Sequence, residues 1–412
     1  MASNRVADFR PLFTLIFLLL LLRMGSGAFK SDAIGSLNFV FSFLYVLPVI
    51  VLMAIVVKVP RRLLYLVLLL AVSLSLSLLG DSFGFHGLFQ YLNASVRYVL
   101  PLVTFYYVWA EYKADGGLLR GRFAGRYLIL FSFMALASAL AVLVGNYREI
   151  QGEFRLEYPF ENPNTLGIFY AVAAWLSYLY LKAGVSARHK MPLMACYFIS
   201  VVFVVLSGSL NGMAIVVVNI AYVVYMRPGY RVFKLLGFIV LLCLAYFYVD
   251  FEGILGRLDK VIFSIDWTSP TSGGSSLVWR LQTWILYVSE IGIADFFVGR
   301  GPGASRVWFE AWAPGYQRYS VGDIPGTHND YLMIFFDFGL VGFFVFFIMF
   351  FSFYKKAIRM REGGLVAFSV AILLSMFFDN ILDSILMVYL LYFSLPYIFE
   401  RQRVDGSARS EV

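Results

Sequence analysis

The chain has 412 residues, of which 61% are hydrophobic and 14% charged, with a formal net charge of +8. A soluble domain carries about a quarter charged residues and about half apolar ones, so a soluble globular fold is excluded. Apolar runs of about 18 residues or more recur along the whole length, the mark of a polytopic membrane protein.

These runs are continuous rather than alternating, and lipid leaves no partner for unpaired backbone groups, so the spans are helices and not barrel strands. In chain order, about twelve spans are expected. They lie near 11–29, 33–57, 62–80, 90–111, 124–145, 163–182, 191–208, 210–226, 232–250, 329–353, 364–380 and 382–399. Arg5 and Arg10 before LFTLIFLLLLL look like the start of a signal peptide. No small-residue cleavage site with a soluble domain behind it follows, so the segment is read as a retained first helix. SGSLNG (207–212) and DNILD (379–383) each break one long apolar stretch into a tight hairpin, since charge and turn formers are unfavourable at mid-membrane. The fold class is therefore an all-α polytopic bundle of three parts: 1–250 with spans one to nine, 251–328 as a long connecting loop, and 329–412 with the last three spans and a polar tail.

Lys and Arg collect in alternate short loops: Lys58/Arg61/Arg62, Lys113/Arg120/Arg122/Arg126, Lys182/Arg188/Lys190, Arg227/Arg231/Lys234, Lys355/Lys356/Arg359/Arg361 and Arg401/Arg403. The positive-inside rule makes these loops and both termini cytoplasmic. Topology thus accounts for the basic balance, and no nucleic-acid partner is implied. The opposite face carries 81–90 with His86, the charged and aromatic segment 146–162, and the 251–328 loop. That loop is not featureless. Ile254, Leu258, Val261 and Ile265 fall on one helical face, as expected for a helix lying on a membrane surface. Leu277, Leu281, Trp284, Ile285 and Val288 repeat the period. A structured cap over the bundle follows. Cys196 and Cys243 fall inside predicted spans as buried thiols, with no disulfide framework.

The stretch HNDYLMIFFDFGLVG (328–342) puts polar groups where the cap runs into a span. An imidazole near its normal pKa takes a proton from a hydroxyl, so His328 is either a general base or a hydrogen-bonding loop end beside Thr327 and Asn329. Asp330 would orient that ring or substitute for it. Gly339 and Gly342 suit close helix packing. Guanidinium forks suit pyrophosphate. The candidates are Arg280 on the second cap helix, Arg300 and Arg306 beside the turn GRGPG (299–303), Arg155 and Arg148 in the 146–162 segment, and Arg97 inside the fourth span. A charge at the depth of Arg97 faces a cavity or snorkels to the interface. The glycine turn either offers backbone N–H groups to an anion or is purely structural. Asn162 or Asn164 caps the sixth span or contacts substrate.

His328-Asn329 followed by Gly339-x-x-Gly342 resembles the C-terminal signature of the bacterial O-antigen polymerase/ligase superfamily, whose members transfer glycans from undecaprenyl diphosphate. Arg280, Trp284, GRGPG and His328, in that order, extend the resemblance over roughly residues 280–342. ENPNTLG (161–167) resembles the Pro-Asn element of the polymerase branch. SGSLNG resembles a turn where many members place Ser-Arg, but Leu210 follows Ser209 here. The resemblance implies a glycosyltransferase of the bacterial inner membrane with a periplasmic site. Undecaprenyl-diphosphate-linked glycans would be donor and acceptor, with a chain-length regulator as a candidate partner. His328, with Asp330, would accept the hydroxyl proton. Arg280, with Arg97, Arg300 or Arg306, would stabilise the leaving diphosphate, and Asn329, Arg155 and Asn164 would contact substrate. A single displacement inverts the anomeric centre. The first loop opposite the basic ones has only Asp32, and no His/Cys/Asp cluster has metal spacing, so neither metal nor cofactor is expected. Two alternatives stand beside polymerisation: an O-antigen ligase moving finished glycan to lipid A core or protein, and a flippase or other transporter of lipid-linked oligosaccharide.

Overall fold

A computed structural model describes residues 12–19, 22, 40, 44–49, 88–114, 120–150, 153–160, 162–226, 280, 284–285, 287–305, 308, 329–359, 363–378, 381 and 388–395. The named elements are α1 (Leu88–Ala114), α2 (Arg120–Leu143), β1 (Tyr147–Ile150), β2 (Glu153–Leu156), α3 (Pro163–Lys182), α4 (Ala187–Ser207), α5 (Leu210–Met226), α6 (Ile293–Val298), α7 (Asp330–Arg359) and α8 (Gly363–Phe378). Residues 12–19, 44–49 and 388–395 are also helical. Among the described residues, four helices are long and apolar enough to cross a membrane: Arg122–Leu143, Pro163–Lys182, Ala187–Ser207 and Asp330–Ile348. The spans expected near 62–80 and 232–250 and the surface helix expected at 254–265 lie outside the described residues.

Hydropathy located the helices well and their polar ends less well. α4 begins at Ala187 rather than 191, because its first turn, ARHK, is helical yet too polar to register as a span. α7 likewise runs on to Arg359 through two lysines. The segment 146–162, read only as a polar loop, contains a hairpin. β1 and β2 pair antiparallel with Tyr147 opposite Leu156 and Arg148 opposite Arg155.

Helix α3 is the axis of the fold, with most of its length buried. Asn162 starts it: its side-chain oxygen accepts from the Asn164 and Thr165 N–H groups at 2.9 and 3.4 Å, and Pro163 follows at the first helical position. Small residues let neighbours approach. A Cβ on Gly167 would lie 2.3 Å from that of Ser209, and one on Gly212 would lie 2.7 Å from the Gly167 carbonyl carbon. This is close packing at small residues, the main source of helix attraction where lipid is as apolar as the side chains. The α4–α5 turn is built for it. Gly208 ends α4 at φ +60, Ser207 Oγ accepts from the Ser209 N–H, and Ser209 Oγ accepts from the Gly212 N–H.

The contacts sort the helix termini onto two ends of the bundle. One end holds the C-terminus of α2, the hairpin, the start of α3, the α4–α5 turn, the start of α7 and the end of α8. Ser138 reaches the Tyr158 carbonyl there, and Asn211 Oδ1 accepts from Ser375 Oγ at 2.8 Å. The other end holds the start of α2 and the C-termini of α1, α3 and α5. Lys182 sits over the Tyr222 ring there, and Tyr222 packs on Gly364. The basic clusters of α2, α3 and α4 lie at this second end.

Candidate active site at the hairpin end

Helix α7 opens with Asn329 as its cap. The side-chain oxygen of Asn329 accepts from the Tyr331 and Leu332 N–H groups at 3.0 and 3.1 Å. Asp330, fully buried, accepts from the Ile381 N–H at 2.7 Å and so ties the start of α7 to the chain beyond α8. Tyr331 donates to the Leu373 carbonyl at 2.7 Å, a second tie to α8. The two residues after His328 therefore stand in a fixed frame. His328 itself lies outside the described residues, as does Arg306.

Arg280 is helical and half-buried. Trp284, four residues on, packs edge-to-face on Phe377 of α8 at 5.2 Å. Phe377 also meets Tyr331, with ring centroids 6.3 Å apart. One aromatic side chain thus joins the segment carrying Arg280 to the start of α7. Farther along that segment, Tyr287 is buried between Trp308 and Phe336 and donates to the Ser305 carbonyl. Burial raises its phenol well above the ordinary tyrosine value, with the Asp337 charge adding to the effect, so it stays a donor.

The turn 299–303 sits on a break in α7. Gly339 leaves helical geometry at φ +60, ψ −163. Gly299 has φ +73, and a Cβ there would lie 2.4 Å from the Asp337 carbonyl oxygen. A Cβ on Gly339 would lie 2.5 Å from the Phe297 carbonyl carbon. Glycine is thus required on both sides of the contact, by conformation and by approach. The Arg300 and Gly301 N–H groups donate to the Phe336 and Asp337 carbonyls at 2.9 and 2.8 Å, which the break has released from the helix. Asp337, 1% exposed, fills the centre. One oxygen accepts from the Tyr98 hydroxyl at 2.6 Å and the Gly303 N–H at 2.8 Å; the other accepts from the Ser305 N–H at 2.8 Å. Of the two readings of this turn, the structural one describes these amides: they are committed to α7.

Of the remaining candidates, Arg300 holds Asp295 at 2.8 Å, donates to the Glu290 carbonyl and lies over the Phe336 ring. Arg97 lies in α1 one residue before Tyr98, at the same junction. Arg155 runs from β2 across the α4–α5 turn: a Cβ on Gly208 would lie 3.1 Å from its Cγ, Cδ and Nε. A guanidinium stem thus lies against the turn where the sequence has Leu210. Asn164 is half-buried in the first turn of α3, beside the Asn162 cap.

Sequence reasoning passed over Asp337. Its signal was present: a carboxylate inside an apolar run, IFFDFGLVG, is costly in a span and marks a partner or a function.

Residues 195–347 match the family model described as O-antigen ligase. This agrees with the O-antigen polymerase/ligase superfamily and, with the apolar helices, indicates an integral membrane enzyme that processes lipid-linked glycans. No curated protein matches the chain. Arg280, Arg300, Arg306, His328, Asn329 and Asp330 all fall inside the matched stretch; Arg97, Arg155 and Asn164 fall before it.

Proposed function

We propose that this protein is a polymerase of lipid-linked oligosaccharide repeat units in the bacterial inner membrane, with both termini cytoplasmic and its site on the periplasmic side. A sugar hydroxyl of one chain attacks the anomeric carbon of the other, the new glycosidic bond forms as the bond to undecaprenyl diphosphate breaks, and the centre inverts. His328 accepts the hydroxyl proton. Asp330 has one oxygen held by the Ile381 N–H, which suits orienting the neighbouring ring better than taking the proton itself. Arg280 stabilises charge developing on the departing diphosphate. Arg97 and Arg306 are further cations for it, and Arg155, Asn164 and Asn329 flank the glycan. No metal is required.

One observation carries this reading: Trp284 and Tyr331 meet at Phe377. That contact draws the Arg280 segment toward the residues following His328, at the end of the bundle opposite the basic clusters of α2, α3 and α4. By the positive-inside rule that end is extracytoplasmic.

Polymerase is preferred over ligase because two further sequence elements meet in space. The α3 start with Asn162, Pro163 and Asn164 leads to Gly167, which packs on Ser207 and Ser209 of the small-residue turn, beneath Arg155. The description of the matched family favours the ligase alternative. The glycolipids of a deletion strain separate the two. Lipid-linked single repeats are expected for polymerase loss; full-length unligated polymer would mean a ligase, and substrate held on the cytoplasmic side a transporter. In that strain, correctly inserted Arg280→Ala is expected to lose polymer, and normal polymer would remove Arg280 from the scheme.

A further inference from the structure

We propose that Asp337 is a positioning residue: it clamps the 299–305 turn and α1 onto the break in α7, and so sets the pose of the helix start that follows His328. The inference rests on the catalytic reading above for its effect on turnover, but not for the clamp itself.

Three features point this way. First, Asp337 gathers donors from separate parts of the chain, Tyr98 from α1 and the Gly303 and Ser305 amides from the turn, at 2.6 to 2.8 Å. Each of these donors is neutral and directional, so what they fix is geometry: a hydrogen bond to a carboxylate holds the groups it joins at a set distance and angle. Second, the clamp sits where α7 is broken. Without it the segment 330–338 hinges at Gly339, where helical hydrogen bonding is already interrupted. Third, the same turn is joined to the Arg280 segment through Tyr287, which donates to the Ser305 carbonyl and meets Phe336 edge-to-face. Asp337 therefore links the segment bearing the proposed diphosphate cation to the helix whose start follows the proposed base in sequence. Tyr98 extends the same control to α1, beside Arg97.

The test uses purified full-length Asp337→Asn in lipid nanodiscs. Asn keeps the volume and one acceptor oxygen but replaces the other with a donor facing N–H groups. Amide exchange of the peptide spanning 299–305 is expected to rise about tenfold, the scale of one or two lost hydrogen bonds, while protection of α3 is unchanged. With a lipid-diphosphate repeat unit as substrate, turnover per folded molecule is expected to fall at least about tenfold with KM within about twofold, because geometry rather than binding is disturbed. Unchanged exchange at 299–305 would overturn the clamp. Raised exchange with normal turnover would overturn its role in positioning, and a proportional rise in KM would make Asp337 a substrate contact instead. If the wild-type protein itself makes no polymer, the catalytic reading fails and the exchange measurement still decides the clamp. Tyr98→Phe removes one leg only. It is expected to give a smaller change in the same direction, and serves if Asp337→Asn does not insert.

Discussion

Two buried carboxylates sit at opposite ends of this bundle and are satisfied in opposite ways. At the basic end, Glu111 is fully buried and paired with two guanidinium groups, Arg126 at 2.8 Å and Arg122 at 3.4 Å. Arg126 also donates to the Tyr392 hydroxyl and lies over the rings of Phe17 and Phe123. At the hairpin end, Asp337 is held by a phenol and two backbone amides. The first arrangement is a neutralised ion network that locks α1, α2 and the helical segment 388–395 together. The second is a set of directional hydrogen bonds that locks a loop to a helix break. Charge pairing suits an end that only has to hold; hydrogen-bond geometry suits an end where reacting groups must be placed.

Breaking each lock distinguishes them. Glu111→Ala leaves Arg126 buried without its carboxylate and should cost about 3–5 kcal/mol, the largest effect expected, read as lost thermal stability and yield in detergent. An equal melting temperature would show that the pair is not structural. Gly339→Ala comes next. A side chain at φ +60 placed 2.5 Å from the backbone of Phe297 should cost at least about 2 kcal/mol and free the 299–305 turn, seen by the same exchange experiment. Asn162→Ala removes the α3 cap and should cost about 1 kcal/mol. Arg122→Ala is the smallest. Its side chain is 37% exposed and its pair long, so a loss of under about 1 kcal/mol is expected. A loss as large as that of Glu111→Ala would mean that the two arginines share the lock equally.

Among the described residues, the long apolar runs made the helices legible. Pro163–Lys182 matches the hydropathy reading to the residue, because the Asn162 cap bounds it, and α5 starts at Leu210 as read, after the Gly208 turn. The β1–β2 hairpin is hidden by its composition: YREIQGEFRL alternates weakly, and among its described residues Leu156 is fully buried while the partly buried Tyr147 packs against the core. At the site, the helical period and the resemblance single out Arg280 with Trp284, whereas Asn329, read from the resemblance as a substrate contact, has its side-chain oxygen capping α7. Asp337 was passed over because its donors, Tyr98 and the Gly303 and Ser305 amides, are far from it in sequence, and no local pattern announces a pairing of that kind. Arg300 is a candidate anion ligand by its place beside the glycine turn; its contacts with Asp295 and the Phe336 ring are ones that spacing does not announce.

The central claim is that His328, the residue before the Asn329 cap in sequence, takes the proton during glycan transfer. Purified protein incubated with a synthetic lipid-diphosphate repeat unit in the presence of EDTA tests it directly, with products sized on a gel. A ladder of polymer from the wild-type protein and at least about a hundredfold less from His328→Ala is the predicted result. A wild-type ladder that His328→Ala reproduces at the same rate would contradict it.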